Sequence, residues 1–107
     1  MIRGNLVTVA LQGDYGKPRP AVVIQSDLFD GHPSVTVLPL TTELRDTPLF
    51  RISVEPSAGN GLRQRSQIMI DKIHTVPRTR LGNTLGKLTD DQQVAVNRSL
   101  MLFLGLA

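Results

Sequence analysis

The sequence of 107 residues contains no cysteine and only two histidines. Without cysteine the chain cannot form a disulfide, a thiolate metal site or a thiol nucleophile. The two histidines, His32 and His74, are too few for the usual zinc ligand sets. We therefore expect no metal site. The absence of a P-loop and of a dinucleotide-binding fingerprint argues against a nucleotide cofactor as well.

Long apolar runs and aromatic residues are also scarce. No apolar run approaches the roughly 20 residues that cross a bilayer, and the apolar run near the N-terminus is too short for a secretion signal. A cytoplasmic protein with one domain over residues 1–107 is therefore expected. One tyrosine, three phenylalanines and no tryptophan offer little for the base-stacking platforms of single-strand binding proteins.

Charge is distributed unevenly along the chain. Residues 1–55 carry five basic and six acidic side chains, whereas residues 56–107 carry seven basic and three acidic ones. A basic half is compatible with binding a polyanion through release of its counterions. A solvated surface with a chance imbalance explains the same numbers equally well, so charge alone does not choose a function.

Alternation of apolar and polar residues, with frequent turn signals, predicts a mainly β protein. Strands are predicted over residues 6–11, 21–25, 34–40, 50–54 and 67–73, with a short strand within residues 81–88. The unbroken apolar run AVVI indicates a strand that is buried on both faces. Short strands followed by one helix favour a small, open β-barrel with helical additions.

The C-terminal segment changes to a helical pattern. Thr89 and Gln92 fit a capping box, which predicts a helix over residues 90–104 that ends at Gly105. The helix carries one predicted apolar stripe that can pack on the sheet: Val96, Leu100 and Phe103.

Arg19 stands between Pro18 and Pro20, just before the buried strand. Each proline fixes its own φ at about −65°, and Pro20 also restricts Arg19 to extended backbone. An arginine held in this way loses little backbone freedom when it binds an anion, and its planar guanidinium suits a phosphate. The alternative is that the prolines only end a loop and begin a strand, with Arg19 solvated.

Other candidates lie near the ends of predicted strands. Thr41 and Thr42 have hydroxyls that can donate to a phosphate or a base, or can cap the following turn. Asp71 lies inside an apolar strand, where a carboxylate serves as a general base or as half of an ion pair with Lys72 or an arginine. His74 is a candidate for proton transfer or has a structural role.

Five segments follow one another along the chain: RGNLVTVAL, GKPRPAVVIQSD, VTVLPLT, NGLRQRSQIMIDKIHTV and LTDDQQVAVNRSLMLFLGLA. Together they resemble the MazF/PemK family of toxin endoribonucleases from toxin–antitoxin modules. The resemblance covers nearly the whole chain. Its most specific parts are the Arg-Gly start, the Arg-Pro-x-x-Val-Ile run and the Pro-Leu-Thr step.

The resemblance implies an SH3-like small β-barrel of the CcdB/MazF type with a C-terminal α-helix, acting as a homodimer. It also implies metal-independent, sequence-specific cleavage of single-stranded mRNA. In that reaction the ribose 2′-OH attacks the adjacent phosphate and leaves a 2′,3′-cyclic phosphate and a 5′-OH end. A cognate antitoxin would inhibit the toxin by laying a peptide into the RNA groove.

At matching positions the resemblance assigns catalytic roles to three residues. Arg19 would stabilise the phosphorane and protonate the leaving oxygen, Thr41 would hydrogen-bond the scissile phosphate, and Asp71 would be the general base. Four further residues are expected to contact RNA: Lys17, Thr42, Ser66 and His74.

The chain departs from the family pattern in three places. Members with this aspartate often have an arginine two residues earlier, where this chain has Met69, and Lys72 replaces the usual glutamine. The loop QGDYGKP is short for the family, which predicts a more open site or a changed cleavage motif.

Two other functions stay open: a CcdB-like poison of DNA gyrase, disfavoured by the absence of tryptophan, and a non-catalytic RNA-binding module.

Overall fold

Seven strands and one α-helix are found in the computed structural model, which describes residues 2–11 and 17–107. The strands are β1 (Asn5–Val9), β2 (Arg19–Val23), β3 (Ser34–Thr41), β4 (Arg51–Val54), β5 (Ser66–Met69), β6 (His74–Pro77) and β7 (Leu81–Lys87). The helix α1 spans Asp90–Leu104, and single 3-10 turns occupy Asp27–Phe29 and Arg78–Arg80. Within the described ranges no helix is long and apolar enough to cross a bilayer.

Every strand pair is antiparallel, and the order in the sheet is β4-β5-β3-β2-β1-β7. The remaining strand, β6, also pairs with β3. One edge of β3 bonds to β2, and the other edge is divided between β5, near Thr41, and β6, near Val35. The end strands β4 and β7 pair with β5 and β1 but not with each other in the described chain. The mainly β fold is therefore confirmed, and the sheet does not close.

Apolar side chains are buried on both faces of the sheet. The face that packs against α1 has a core that includes Leu6, Val22, Leu38, Ile68, Val96 and Leu100. The opposite face has a second core that includes Val7, Val9, Ala21, Val23, Val35 and Val37. Consecutive residues of β2 therefore enter different cores, which confirms the predicted burial of the AVVI run on both faces.

The helix begins and ends at the predicted residues. The N–H of Gln92 donates to the Thr89 hydroxyl at 3.1 Å, and the N–H of Thr89 donates to the Gln92 side chain at 2.9 Å. Gly105 ends the helix in the left-handed conformation, with a φ of 73°. The predicted stripe is wrong at Phe103, which is 48% exposed. The final turns of α1 therefore extend past the core, which ends at Leu100.

The single strand predicted over residues 67–73 is wrong. β5 ends at Met69, where the N–H of Lys72 donates to the Met69 carbonyl in a turn, and β6 begins at His74. From Leu40 to Val37 of β3 the pairing partner changes from Ile68 to His74, so the partner chain uses six residues where β3 uses three, and three residues must loop out of the sheet. As a result, Asp71 lies in a turn between two strands rather than inside one.

The loop between β4 and β5 is organised by the buried side chain of Asn60. Its carbonyl oxygen accepts from the N–H groups of Ser57 and Leu62 at 3.0 and 2.9 Å, and its amide donates to the Glu55 carbonyl at 2.8 Å. Because the side chain uses both its donor and its acceptor locally, the loop has one preferred conformation.

Close backbone contact attaches this loop to β7. The N–H of Lys87 donates to the Gly59 carbonyl at 2.9 Å. Gly61 has a φ of 68°, and a Cβ there would collide with the Leu85 carbonyl oxygen. Glycine is therefore required at this position both by the left-handed backbone and by the approach of β7.

Candidate active site

Four polar side chains form a row across the sheet at one end of β3. Ala21 in β2 is opposite Pro39 in β3, and extending this antiparallel register by two residues places Arg19 opposite Thr41. Thr41 is opposite Gln67 in β5, and Gln67 is opposite Ser53 in β4. Residues that are directly opposite share a face and have Cβ atoms about 4.5–5.5 Å apart. The row is therefore Arg19, Thr41, Gln67 and Ser53.

Gln67 fixes the middle of this row and was missed by the sequence analysis. Its side chain is buried, donates to the Arg45 carbonyl at 2.9 Å and to the Ser53 hydroxyl at 3.3 Å, and accepts from the Arg45 N–H at 2.9 Å. These bonds hold the loop after β3 against β4 and β5. A polar residue at the start of the otherwise apolar QIMI segment was the available signal.

Thr41 uses one lone pair to cap the turn that follows β3. Its hydroxyl oxygen accepts from the N–H of Glu43 at 3.1 Å. A hydroxyl that accepts one bond still has its own proton to donate, so Thr41 can cap the turn and bind an anion together. Thr42 is exposed, and the period of two in an extended chain directs it to the other face.

Asp71 forms a bidentate ion pair with Arg51, which the sequence analysis did not single out. The Arg51 Nε donates to Asp71 Oδ1 at 2.9 Å, and Nη2 donates to Oδ2 at 3.2 Å. The Arg51 side chain is 8% exposed and that of Asp71 is 19% exposed. Arg51 lies directly opposite Met69, the position where the family pattern often has arginine. A guanidinium thus reaches Asp71 from the neighbouring strand.

The ion pair changes the acidity of Asp71. Hydrogen bonds from Arg51 lower the pKa of the Asp71 carboxyl below its ordinary value of 3.8, although burial alone would raise it. The carboxylate is consequently ionised at neutral pH, and both of its oxygens are engaged by one guanidinium.

The structure does not bring Asp71 next to the row. Gln67 is the β5 member of the row, β5 ends two residues later at Met69, and Asp71 lies in the turn beyond that end. Arg51 lies between them, because it is two residues from Ser53 and on the same face.

The other predicted RNA contacts do not belong to the polar row. Ser66 is buried, and its hydroxyl donates to the Gln64 carbonyl at 3.0 Å. His74 is exposed, with Nδ1 2.7 Å from the Lys72 carbonyl oxygen. Lys17 is exposed close to Arg19. The predicted effect of the short loop falls on residues 12–16, which lie outside the described residues.

Two grooves flank the row, one on each face of the sheet. The first, which we call the arginine groove, has a volume of about 340 Å³, and its lining includes Arg45, Arg51, Ser53, Arg65 and Gln67. The second, the reverse groove, has a volume of about 370 Å³, and its lining includes Pro18, Pro20, Thr42, Leu62, Gln64 and Leu85. The arginine groove shares the face of the polar row, whereas the reverse groove lies behind it.

Residues 2–104 match the family model of the PemK-like, MazF-like toxins of type II toxin–antitoxin systems. The chain belongs to this family. A probable endoribonuclease MazF from Mycolicibacterium smegmatis is 48% identical over 108 residues, which cover 100% of this chain and 99% of that protein. The endoribonuclease MazF3 of Mycobacterium tuberculosis is 32% identical over 85 residues, which cover 78% of this chain and 80% of that protein.

Solved MazF structures have the same fold. The M. tuberculosis toxin MazF-mt6 superposes with a TM-score of 0.83 at 28% identity, covering 96% of this chain and 98% of that one. A mycobacterial endoribonuclease in complex with its cognate antitoxin superposes with a TM-score of 0.84 at 24% identity, covering 100% of this chain and 97% of that one. The predicted MazF/PemK family and its fold class are thereby confirmed, and the polar row lies within the matched region.

The ion pair gives this MazF-like toxin a pH-dependent stability. We expect Asp71→Asn to lower the free energy of unfolding at pH 7 by about 1.5–3 kcal/mol, because it removes charge-assisted hydrogen bonds. The folded pKa lies below the unfolded one, so the ionised pair stabilises the fold above about pH 3.8 and this contribution is lost as pH falls through the folded pKa. Urea unfolding at pH 7, 5 and 3 measures this.

The matched control is Glu43→Gln, which breaks the exposed contact between Glu43 and Arg45. Because water screens exposed pairs, we expect little change at any of these pH values. A destabilisation by Asp71→Asn that is the same at pH 7 and pH 3 would contradict the electrostatic explanation.

Proposed function

We propose that this toxin is an endoribonuclease that cleaves single-stranded RNA at the row formed by Arg19, Thr41, Gln67 and Ser53. The ribose 2′-OH gives its proton to a water molecule and attacks the adjacent phosphorus. The bond to the 5′-oxygen breaks and that oxygen takes up a proton, so the products are a 2′,3′-cyclic phosphate and a 5′-OH end. The observation that carries this proposal is the placement of Arg19 opposite Thr41, beside the arginine groove.

The chemistry of the row suits a pentavalent phosphorane. Its negative oxygens need a nearby cation and hydrogen-bond donors that are already in position. Arg19 supplies the guanidinium from a backbone restricted by two prolines, and Thr41 supplies a hydroxyl proton. We assign the protonation of the leaving 5′-oxygen to Arg19 as well, and the guanidinium then regains a proton from the water that accepted the 2′-OH proton.

The arginine groove suits the RNA backbone on one side of the cleaved bond. Three arginines line it, and two of them form exposed ion pairs: Arg45 with Glu43 at 3.2 Å, and Arg65 with Glu55 at 2.7 Å. Exposed pairs of this kind are weak, so phosphates can replace the carboxylates. Such exchange also makes RNA binding weaker at high salt.

We propose that Asp71 acts on the reaction by positioning Arg51. A general base is most effective when its pKa lies near the working pH, whereas the pKa of Asp71 is lowered and both of its oxygens accept from Arg51. Held in this way, the Arg51 guanidinium is oriented in the arginine groove. The general-base role of Asp71 stays a prediction that a double-mutant cycle can test.

Two protein partners and a location follow from the family as proposals. We propose that a cognate antitoxin binds over the arginine groove, and that the chain acts in the cytoplasm as a homodimer. An exposed apolar surface formed by Leu49, Phe50, Leu102 and Phe103 supports a protein–protein contact.

Light scattering on the purified chain should give the mass of a dimer, and a monomeric mass over the working concentrations would contradict the homodimer.

Incubation with a long single-stranded RNA in EDTA tests the proposed reaction. We expect discrete cuts whose 5′ fragments end in a cyclic phosphate and whose 3′ fragments begin with a 5′-OH. Arg19→Ala should slow cleavage at least about a hundredfold, because it removes a preorganised charge from the transition state. The control, Arg98→Ala, removes an exposed arginine of α1 and should leave the rate unchanged.

The same assay separates the two other candidate functions. Intact RNA together with gyrase trapped on DNA would support a CcdB-like poison, although the named relatives are endoribonucleases. Binding of RNA without any cutting would support a non-catalytic module. Cutting that survives Arg19→Ala at full rate would move the active site away from the polar row.

The role of Asp71 is tested with Arg51→Met, Asp71→Asn and the double variant. If Asp71 only positions Arg51, each single variant and the double variant should lower kcat/KM by a similar factor, since both changes remove one function. If Asp71 is the general base, Asp71→Asn should cost at least about tenfold more than Arg51→Met and should flatten the acid limb of the pH–rate profile. Circular dichroism confirms that each variant is folded.

A further inference from the structure

The reverse groove shares the strand ends that carry the polar row. Pro18 and Pro20 flank Arg19, Thr42 follows Thr41, and the proline and Thr42 side chains line the groove. Consecutive residues of an extended chain point to opposite faces. One face of this sheet end is the side that we propose binds the scissile phosphate. The reverse groove lies on the other face, so only the thickness of the sheet separates the two.

We propose that the reverse groove binds one nucleobase next to the cleaved phosphate and so contributes to the sequence preference of the toxin. This inference rests on the function proposed above. An RNA strand with its phosphate at Arg19 crosses the end of the sheet, and its next nucleotide then reaches the mouth of the groove. A volume of about 370 Å³ is within the range of small-ligand pockets.

The lining of the groove matches the shape and polarity of a base. The walls include the rings of Pro18 and Pro20 and the side chains of Leu62 and Leu85, which offer apolar surface to the face of a base. The exposed amide of Gln64 presents both a donor and an acceptor, the combination that reads a base edge.

Charge at the groove also favours a nucleic acid. Arg63 lines it, is exposed, and makes no hydrogen bond or ion pair with the described residues. Lys17, the residue before Pro18, is exposed as well. Two cations at the opening attract the phosphates on either side of a bound base.

The wall of the groove that carries Leu62 and Gln64 is held in place before any ligand binds. It continues from the loop that Asn60 organises, and the bond from Lys87 to Gly59 ties that loop to β7, the strand that carries Leu85. Preorganised walls lose little entropy on binding, so they discriminate between ligands. A loose surface loop would not give this selectivity.

The test compares the wild type with Gln64→Leu on a pool of randomised single-stranded RNA, with both ends of the products sequenced. Gln64→Leu keeps the size of the side chain but removes its donor and acceptor. We expect the base preference at one position beside the cut to fall at least about fivefold. The cleavage rate should fall far less than in Arg19→Ala, and the ends should keep their chemistry.

Asn97→Leu is the matched control, because it makes the same change of an exposed amide on α1. It should leave the preference unchanged. An unchanged preference in Gln64→Leu, with RNA still cut, overturns the base site and leaves the proposed function standing.

If the wild type does not cut RNA, the proposed function fails. RNA binding then tests whether the reverse groove recognises a base. RNA retained by the wild type and by Gln64→Leu from the same pool is sequenced. A preference lost at one position in Gln64→Leu supports a base-binding groove, whereas identical retained sequences overturn it.

Discussion

Strand β3 is hydrogen-bonded along both of its edges, and the places of the candidate residues follow from this. Its last residue, Thr41, meets Gln67 of β5, while its first half meets β6 on the same edge. The registers of β5 and β6 on this edge differ by three residues, so the chain leaves β3 after Met69 and returns at His74, which puts Asp71 in the intervening turn. β2 occupies the other edge and brings Arg19 to the level of Thr41.

The separation of Arg19 from Asp71 divides the electrostatic roles. Arg51 and Asp71 neutralise each other in a largely buried pair, and their bidentate geometry fixes the direction of the guanidinium. Arg19 is itself half-buried and lies on the face of the arginine groove. In the reaction proposed above, the phosphate meets Arg19 and its row, whereas the pair holds the Arg51 guanidinium in the groove beside it.

Features set by adjacent residues could be predicted from the sequence, and features set by register could not. The helix cap depends on Thr89 and Gln92 alone, so its hydrogen bonds were predictable. The Arg51–Asp71 pair joins residues 20 apart, and only the register of β4 and β5 reveals it. Ser66 shows the same limit, because a single position along β5 decides whether a hydroxyl faces the polar row or the opposite face.

The two prolines beside Arg19 connect the chemistry of both faces. Proline has no N–H and a fixed φ, which is why it suits the start of a strand and limits the backbone of its neighbour. The same two rings line the reverse groove, while Arg19 points to the other face. One rigid tripeptide therefore sets the distance between a cation for phosphate and a pocket of base size. Because the prolines fix two φ angles and restrict Arg19 between them, the backbone can adjust little. In the proposed complex the cation and the pocket therefore keep a similar spacing whichever RNA is bound.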